Sequence, residues 1–78
     1  MNISNCTIKD LSIEAYDRLF SFLYENKIHA DCFDDNRTVV ISRRGLKSIY
    51  IDSTVVITAE TGEAIELDTN DFYKIVIL

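Results

Sequence analysis

The sequence predicts an α+β fold in which one amphipathic helix packs on a five- to seven-stranded, mostly antiparallel meander sheet. Three observations support this prediction. One segment, residues 12–26, has apolar side chains at helical spacing. The residues after Lys27 are rich in β-branched side chains and are divided by turn residues. The chain has 78 residues, enough for one core. We therefore predict a single domain, residues 1–78, built in two layers.

The helix has a recognisable start and end. The hydroxyl of Ser12 can accept a hydrogen bond from an early backbone N–H, and Asn26 tolerates the left-handed conformation that ends a helix. At about 100° per residue, the apolar side chains between them cover a stripe about 140° wide. Phe22 lies off this stripe, so we expect its side chain on the surface. The predicted core-facing stripe consists of Ile13, Tyr16, Leu19, Phe20, Leu23 and Tyr24.

Three turns divide the predicted strands. The first is residues 34–36, the second is residues 43–45 with Gly45 at positive φ, and the third is residues 61–62. Apolar and polar side chains alternate on both sides of the third turn, as in a sheet with one wet face. That alternation predicts inward-facing Val55, Ile57, Ala59, Ile65 and Leu67. The predicted strands are residues 28–33, 37–43, 47–52, 54–60, 63–68 and 72–78, with a further strand over residues 2–9.

Positive charge is concentrated in one short segment of an acidic chain. The net charge is −5 at pH 7, yet residues 37–47 contain no acid. This segment is interpreted as a solvated turn, as a contact for an acidic patch of another protein, or as a nucleic-acid contact. The sequence pI of about 4.6 disfavours direct nucleic-acid binding, because phosphates would be repelled at long range. The basic residues predicted to contact a partner are Arg37, Arg43, Arg44 and Lys47.

A second charged surface is predicted on the hairpin around the third turn. Carboxylates displayed there offer contacts to arginine and lysine without a scissile bond, so they can imitate nucleic-acid phosphates in the basic groove of a host protein. The plainer interpretation is an outer face that keeps the protein soluble. The predicted acidic partner-binding residues are Glu60, Glu63, Glu66 and Asp68.

The chain offers little material for a metal site or for catalysis. His29 and Cys32 lie three positions apart in a predicted strand, and an odd offset directs their side chains to opposite faces. Structural zinc needs four ligands in paired spacing, which this pattern lacks. We predict no cofactor, no metal and no catalytic residue. The two cysteines, Cys6 and Cys32, are predicted to be reduced and buried, as in a cytoplasmic protein.

These features together predict a small non-enzymatic protein-binding module. Its size and sided charge favour a phage or mobile-element type inhibitor of a host enzyme or defence complex, anti-CRISPR-like or a nucleic-acid mimic, acting in the host cytoplasm. The alternative is a small nucleic-acid-binding regulator that uses the turn at residues 43–47. No membrane contact is predicted, because no apolar run approaches the about 20 residues that a span needs. A homodimer is predicted through an apolar surface at Phe22, Val76 and Leu78.

Overall fold

The structure is a computed structural model that describes residues 5–77. These residues form one helix and seven strands, which confirms the α+β class predicted from the sequence. The helix, α1, spans Ile13–Glu25. The strands are β1 (Asn5–Lys9), β2 (Ala30–Phe33), β3 (Thr38–Ser42), β4 (Leu46–Ile51), β5 (Val55–Ala59), β6 (Ala64–Leu67) and β7 (Lys74–Ile77).

The strands divide into two antiparallel sheets. Strands β4, β5 and β6 follow one another as a meander, whereas the larger sheet has the order β2-β3-β1-β7. The strand predicted over residues 2–9 is present from Asn5 onward and lies in the middle of the larger sheet. There Cys6 is paired with Ile41 of β3 on one side and with Ile77 of β7 on the other. The first strand therefore joins the two ends of the chain into one sheet.

The helix is capped at both ends. The Oγ of Ser12 accepts a hydrogen bond from the backbone N–H of Ala15 at 3.2 Å, as the sequence predicts. At the other end, the side-chain amide of Asn26 donates to the carbonyl of Phe22 at 2.8 Å. Asn26 itself has a φ of −97°, and the left-handed conformation falls on Lys27, with a φ of 57°. The predicted end of the helix is confirmed, and the left-handed residue lies one position later.

The helix buries a face that overlaps the predicted one only at Leu19 and Leu23. Its buried side chains are Ala15, Leu19, Phe22 and Leu23. Phe20 is 51% exposed, whereas Phe22 is only 8% exposed and belongs to the core. The prediction that Phe20 is buried and Phe22 is on the surface is therefore wrong. On a helical wheel the centre of the buried stripe is rotated by about 80° from that of the predicted one, because the small side chain of Ala15 faces the core and Phe22 lies within about 20° of it.

One flank of α1 faces the smaller sheet and the other faces the larger one. On the first flank, Nη2 of Arg18 donates to the carbonyl of Glu66 in β6 at 3.2 Å. On the second flank, the hydroxyl of Tyr16 donates to the carboxylate of Asp34, directly after β2. The helix therefore bridges the edge strands β6 and β2, and its apolar face closes the space between the two sheets.

The core lies in this enclosed space. The predicted inward-facing residues of the smaller sheet are confirmed: Val55, Ile57, Ala59 and Leu67 are buried, and Ile65 packs against them half-buried. The larger sheet contributes the inward faces of its two central strands. Among residues 5–77, no buried side-chain nitrogen or oxygen lacks a hydrogen-bond partner. The largest fully buried side chains are Ile8, Leu11, Leu19, Ile41, Ile57 and Leu67.

Candidate functional site: a cationic corner and a free strand edge

The turn between β3 and β4 carries positive side chains at the corner where the chain passes from one sheet to the other. Its backbone is fixed at several points. Gly45 has a φ of 89°, as predicted, and its carbonyl accepts a hydrogen bond from the N–H of Glu60 at 3.0 Å. The N–H of Leu46, which is buried, donates to the carbonyl of Arg43 at 3.1 Å. The cluster, called the cationic corner below, consists of Arg43, Arg44 and Lys47.

A β-bulge places the third cation of the corner. Leu46 is paired with Ala59, but Ser48 is paired with Thr58, so Lys47 is the extra residue of its strand. A bulge bends the strand and changes the direction of a side chain. All three side chains of the corner are exposed. In the described part of the chain the one ion pair joins Arg18 to Asp71 at 3.7 Å, so the corner has no carboxylate partner there.

Arg37, the fourth predicted basic residue, does not belong to the corner. It precedes β3, whereas Arg43 follows it, so about 20 Å of strand separates the two backbones. Its Nε donates to the carbonyl of Leu11 at 2.6 Å, and its own carbonyl accepts from the N–H of Leu11 at 3.0 Å. Arg37 thus holds the segment before α1 against the turn before β3, which is a structural role.

The four predicted acidic residues of the β5–β6 hairpin are all exposed, and two of them accept hydrogen bonds within the chain. The carboxylate of Glu63 accepts a hydrogen bond from Nδ2 of Asn26 at 3.1 Å and so ties the hairpin to the end of α1. The carboxylate of Asp68 accepts from the N–H of Asn70 at 3.4 Å within its own turn. Glu60 and Glu66 are exposed at opposite ends of the hairpin strands. Two of the four acids therefore have structural roles.

A shallow groove of about 180 Å³ lies between the second half of α1 and β2. The side chains that line the groove are mostly apolar. The more buried of these residues form its floor, and the exposed ones form its rim. The floor residues are Leu23, Ile28, Ala30 and Cys32, and the rim residues are Phe20, Tyr24 and His29. The sequence did not predict this groove, because its two walls meet only in the folded chain.

The groove is bordered by an open strand edge. Strand β2 is the terminal strand of its sheet and is paired only with β3 among the described strands. The N–H of Ser42 in β3 donates to the carbonyl of His29 at 3.0 Å, so the backbone groups of His29 and of every second residue after it face β3. In an antiparallel pair every second residue turns its backbone groups away from the partner. Ala30 and Cys32 therefore direct their backbone N–H and C=O groups to the open side.

The predicted apolar interface is not assembled by the fold. Phe22 is in the core, Val76 lies half-buried in β7 at the opposite edge of the larger sheet from β2, and Leu78 is outside the described residues. The exposed apolar surface of the helix is formed by other side chains. These are Ile13, Phe20 and Tyr24, which are 68%, 51% and 78% exposed.

Both cysteines are free thiols. Cys6 is fully buried, and this burial raises the pKa of its thiol to about 11. Cys32 is half-buried, and desolvation together with the nearby carboxylate of Asp34 raises the pKa of its thiol. Within residues 5–77, no three His, Cys, Asp or Glu side chains are grouped closely enough to hold a metal ion. No helix in the same range is long and apolar enough to cross a membrane.

Comparisons of the chain with models of known protein families, with curated protein sequences and with solved structures gave no significant match. By its fold the chain is a small α+β domain. Among its described residues, the cationic corner and the edge of β2 beside the apolar groove are the two candidate interaction surfaces, and β7, β4 and β6 are also terminal strands of their sheets.

Proposed function

We propose that the chain is a non-enzymatic protein-binding module whose cationic corner docks on an acidic patch of another protein. The observation that supports this proposal is a set of three exposed cations on a turn with a fixed backbone and no carboxylate partner among residues 5–77. An arginine on a rigid turn can form two parallel hydrogen bonds to a carboxylate and loses little conformational entropy on binding.

The hydrogen bonds of the hairpin favour the corner over the acidic surface as the docking site. Glu63 and Asp68 accept hydrogen bonds within the chain, so a partner's arginine would have to compete with those bonds. Arg43, Arg44 and Lys47 face no such competition from the described side chains. Binding at the corner therefore costs less rearrangement than binding at the hairpin.

The charge of the whole molecule favours a protein partner over a nucleic acid. A nucleic-acid-binding domain usually has a broad basic face and a pI above about 9. This chain has a net charge of −5, so a long phosphate backbone would meet repulsion beyond the immediate contact. A local acidic patch on a protein can meet the corner alone, within about one Debye length of 8–10 Å.

The narrower form of the proposal is an inhibitor of a host enzyme or defence complex, of the phage or mobile-element type, that acts in the host cytoplasm. Its support is the small size of the chain and its strongly sided charge. In this form the corner would cover an acidic functional surface of the host protein, including one on a protein that itself binds nucleic acid.

Capture of the partner followed by a comparison of two double variants tests the proposal. Tagged protein is used to capture partners from a host lysate, which are identified by mass spectrometry, and affinities are then measured with purified components. Arg43→Ala with Arg44→Ala is expected to weaken binding by about 1–3 kcal/mol through lost charge-assisted hydrogen bonds. The free energy of unfolding should change by less than about 0.5 kcal/mol, since exposed charges contribute little to stability.

The matched control is Glu60→Gln with Glu66→Gln, which removes two exposed charges and should leave affinity unchanged or slightly higher. The opposite result, with the glutamate pair weakening binding and the arginine pair neutral, would assign the function to the acidic surface. A steep dependence of DNA or RNA affinity on salt would instead favour the nucleic-acid-binding regulator.

A further inference from the structure

We propose that β2 is a dimerisation edge, along which two copies of this chain join antiparallel into one continuous sheet. The inference goes beyond the proposed function, because none of the corner residues belongs to the ladder that it requires. It replaces the dimer predicted from Phe22 and the C-terminal strand, since Phe22 is in the core.

Two features of the β2 edge fit a second strand. Ala30 and Cys32 direct unpaired backbone groups outward, and such groups on a sheet edge are a template for strand addition. The same two residues line the apolar groove, and Phe20 and Tyr24 stand exposed on its rim. A strand that pairs with β2 therefore satisfies backbone hydrogen bonds and covers the groove in a single step.

The charge pattern of β2 makes the strand complementary to itself. Along the chain it begins beside Lys27 and His29 and ends at Asp34 and Asp35. In an antiparallel pair of two copies, His29 near the start of one strand can therefore lie opposite an acidic side chain of the other, Asp31. A second copy of the chain therefore presents charges complementary to those of the β2 edge. For this reason we assign the edge to self-association and not to a different protein.

Charge also selects one register of the pair. With Ala30 of the two copies opposite each other, His29 of one copy faces Asp31 of the other, and this contact occurs twice about the two-fold axis. An imidazole N–H can donate to a carboxylate there, and directly opposed pairs of this kind stabilise a sheet. A shift that centres the axis on Asp31 would place two carboxylates opposite each other, and a shift to Cys32 would extend the ladder into the turn after β2.

The backbone groups of β2 are compatible with this register. The N–H of Ile28 is already bonded to the carbonyl of Leu23 at 2.9 Å, so it is not available to a partner. Ala30 of each copy would donate to and accept from Ala30 of the other copy. The N–H of Cys32 would donate to the carbonyl of Ile28 across the interface, which requires no N–H from Ile28.

Thiol cross-linking tests the position of the axis. The variant Ala30→Cys with Cys32→Ser places one cysteine of each copy at the axis, with Cα atoms about 5.5 Å apart in the dimer, a distance that a disulfide can span, while Cys6 stays buried. Mild oxidation is expected to convert most of this protein into a disulfide-linked dimer at high micromolar concentration. The matched control, Val76→Cys with Cys32→Ser at the β7 edge, should not be cross-linked, although it still dimerises through β2. Cross-linking of the Val76 variant alone would overturn the proposal.

A charge swap tests the register without relying on cross-linking. Sedimentation of the unmodified protein should show a dimer dissociating toward the 9.0 kDa monomer on dilution. Asp31→Lys should weaken the dimer by about tenfold or more, because it places lysine against His29. Adding His29→Asp restores opposite charges and should restore most of the affinity. Both side chains are exposed, so folding, checked by circular dichroism, should be retained.

A 9.0 kDa monomer at all concentrations up to several hundred micromolar would overturn the proposal. So would a swap variant that dimerises no better than Asp31→Lys alone. The proposed function is tested separately, because the monomeric Asp31→Lys variant retains Arg43 and Arg44 and should still bind the captured partner.

Discussion

Replacing Leu19 with alanine is expected to lower the free energy of unfolding by about 2–5 kcal/mol, a large part of the stability of a domain this small. Leu19 is fully buried on the helix face that closes the space between the sheets. Truncation removes apolar surface from the core and leaves a cavity that the surrounding strands fill only partly. Urea unfolding followed by circular dichroism measures the loss.

The neighbouring residue is the matched control for the orientation of α1. Phe20 is the larger side chain, but it is 51% exposed, so Phe20→Ala should cost less than about 1 kcal/mol. Both variants are compared at low micromolar concentration, where a dimer contact at Phe20 would contribute little. A loss at Phe20 that equals or exceeds the loss at Leu19 would contradict the helix orientation described here.

Replacing Arg37 with alanine is expected to cost about 1–3 kcal/mol of folding stability, the second largest effect of a single substitution that we predict. Its Nε donates at 2.6 Å to the carbonyl of Leu11, and Leu11 is fully buried, so the substitution removes a donor from a shielded acceptor. The loss is measured by thermal and urea unfolding.

Arg44→Ala is the matched control for charge. It removes the same positive charge from an exposed turn and should change stability by less than about 0.5 kcal/mol. If both variants are equally stable, Arg37 does not stabilise the segment before α1. If Arg37→Ala weakens binding of the captured partner and leaves folding intact, Arg37 is part of the partner-binding surface, as predicted from the sequence.

The features predicted correctly from the sequence are those that neighbouring residues determine. Ser12 and Asn26 mark the ends of α1 because capping depends on nearby backbone groups. The turn at Gly45 and the alternation around Gly62 are equally local, and both glycines have the positive φ that such turns need. For the same reason the sequence predicted that Arg43, Arg44 and Lys47 lie together at a turn. Arg37, which the sequence grouped with them, lies elsewhere in the fold.

The features missed depend on contacts between distant parts of the chain. The buried side of α1 was misassigned because counting large apolar residues gave no weight to Ala15, which is buried in the core. The central position of β1 and the division into two sheets follow from pairing between the two ends of the chain. The groove and the open edge of β2 arise only after those pairings are made, so no local pattern in residues 28–33 reveals them.

Because Cys6 is buried in the larger sheet, the reactivity of its thiol reports when that sheet opens. At neutral pH the thiol is both shielded and protonated, because burial raises its pKa to about 11, and a thiol reacts chiefly as the thiolate. In a Cys32→Ser background, maleimide labelling of the folded protein should therefore proceed only when β1 separates from β3 and β7. Its rate should rise in parallel with the unfolded fraction in urea, whereas fast labelling in buffer would show that β1 opens on its own.

A bulky group or an oxidised sulfur added during such an opening could not return to the packed sheet. Each unfolding event in an oxidising medium therefore carries a chance of becoming permanent, and the lifetime of the molecule there is limited by how often its central strand opens.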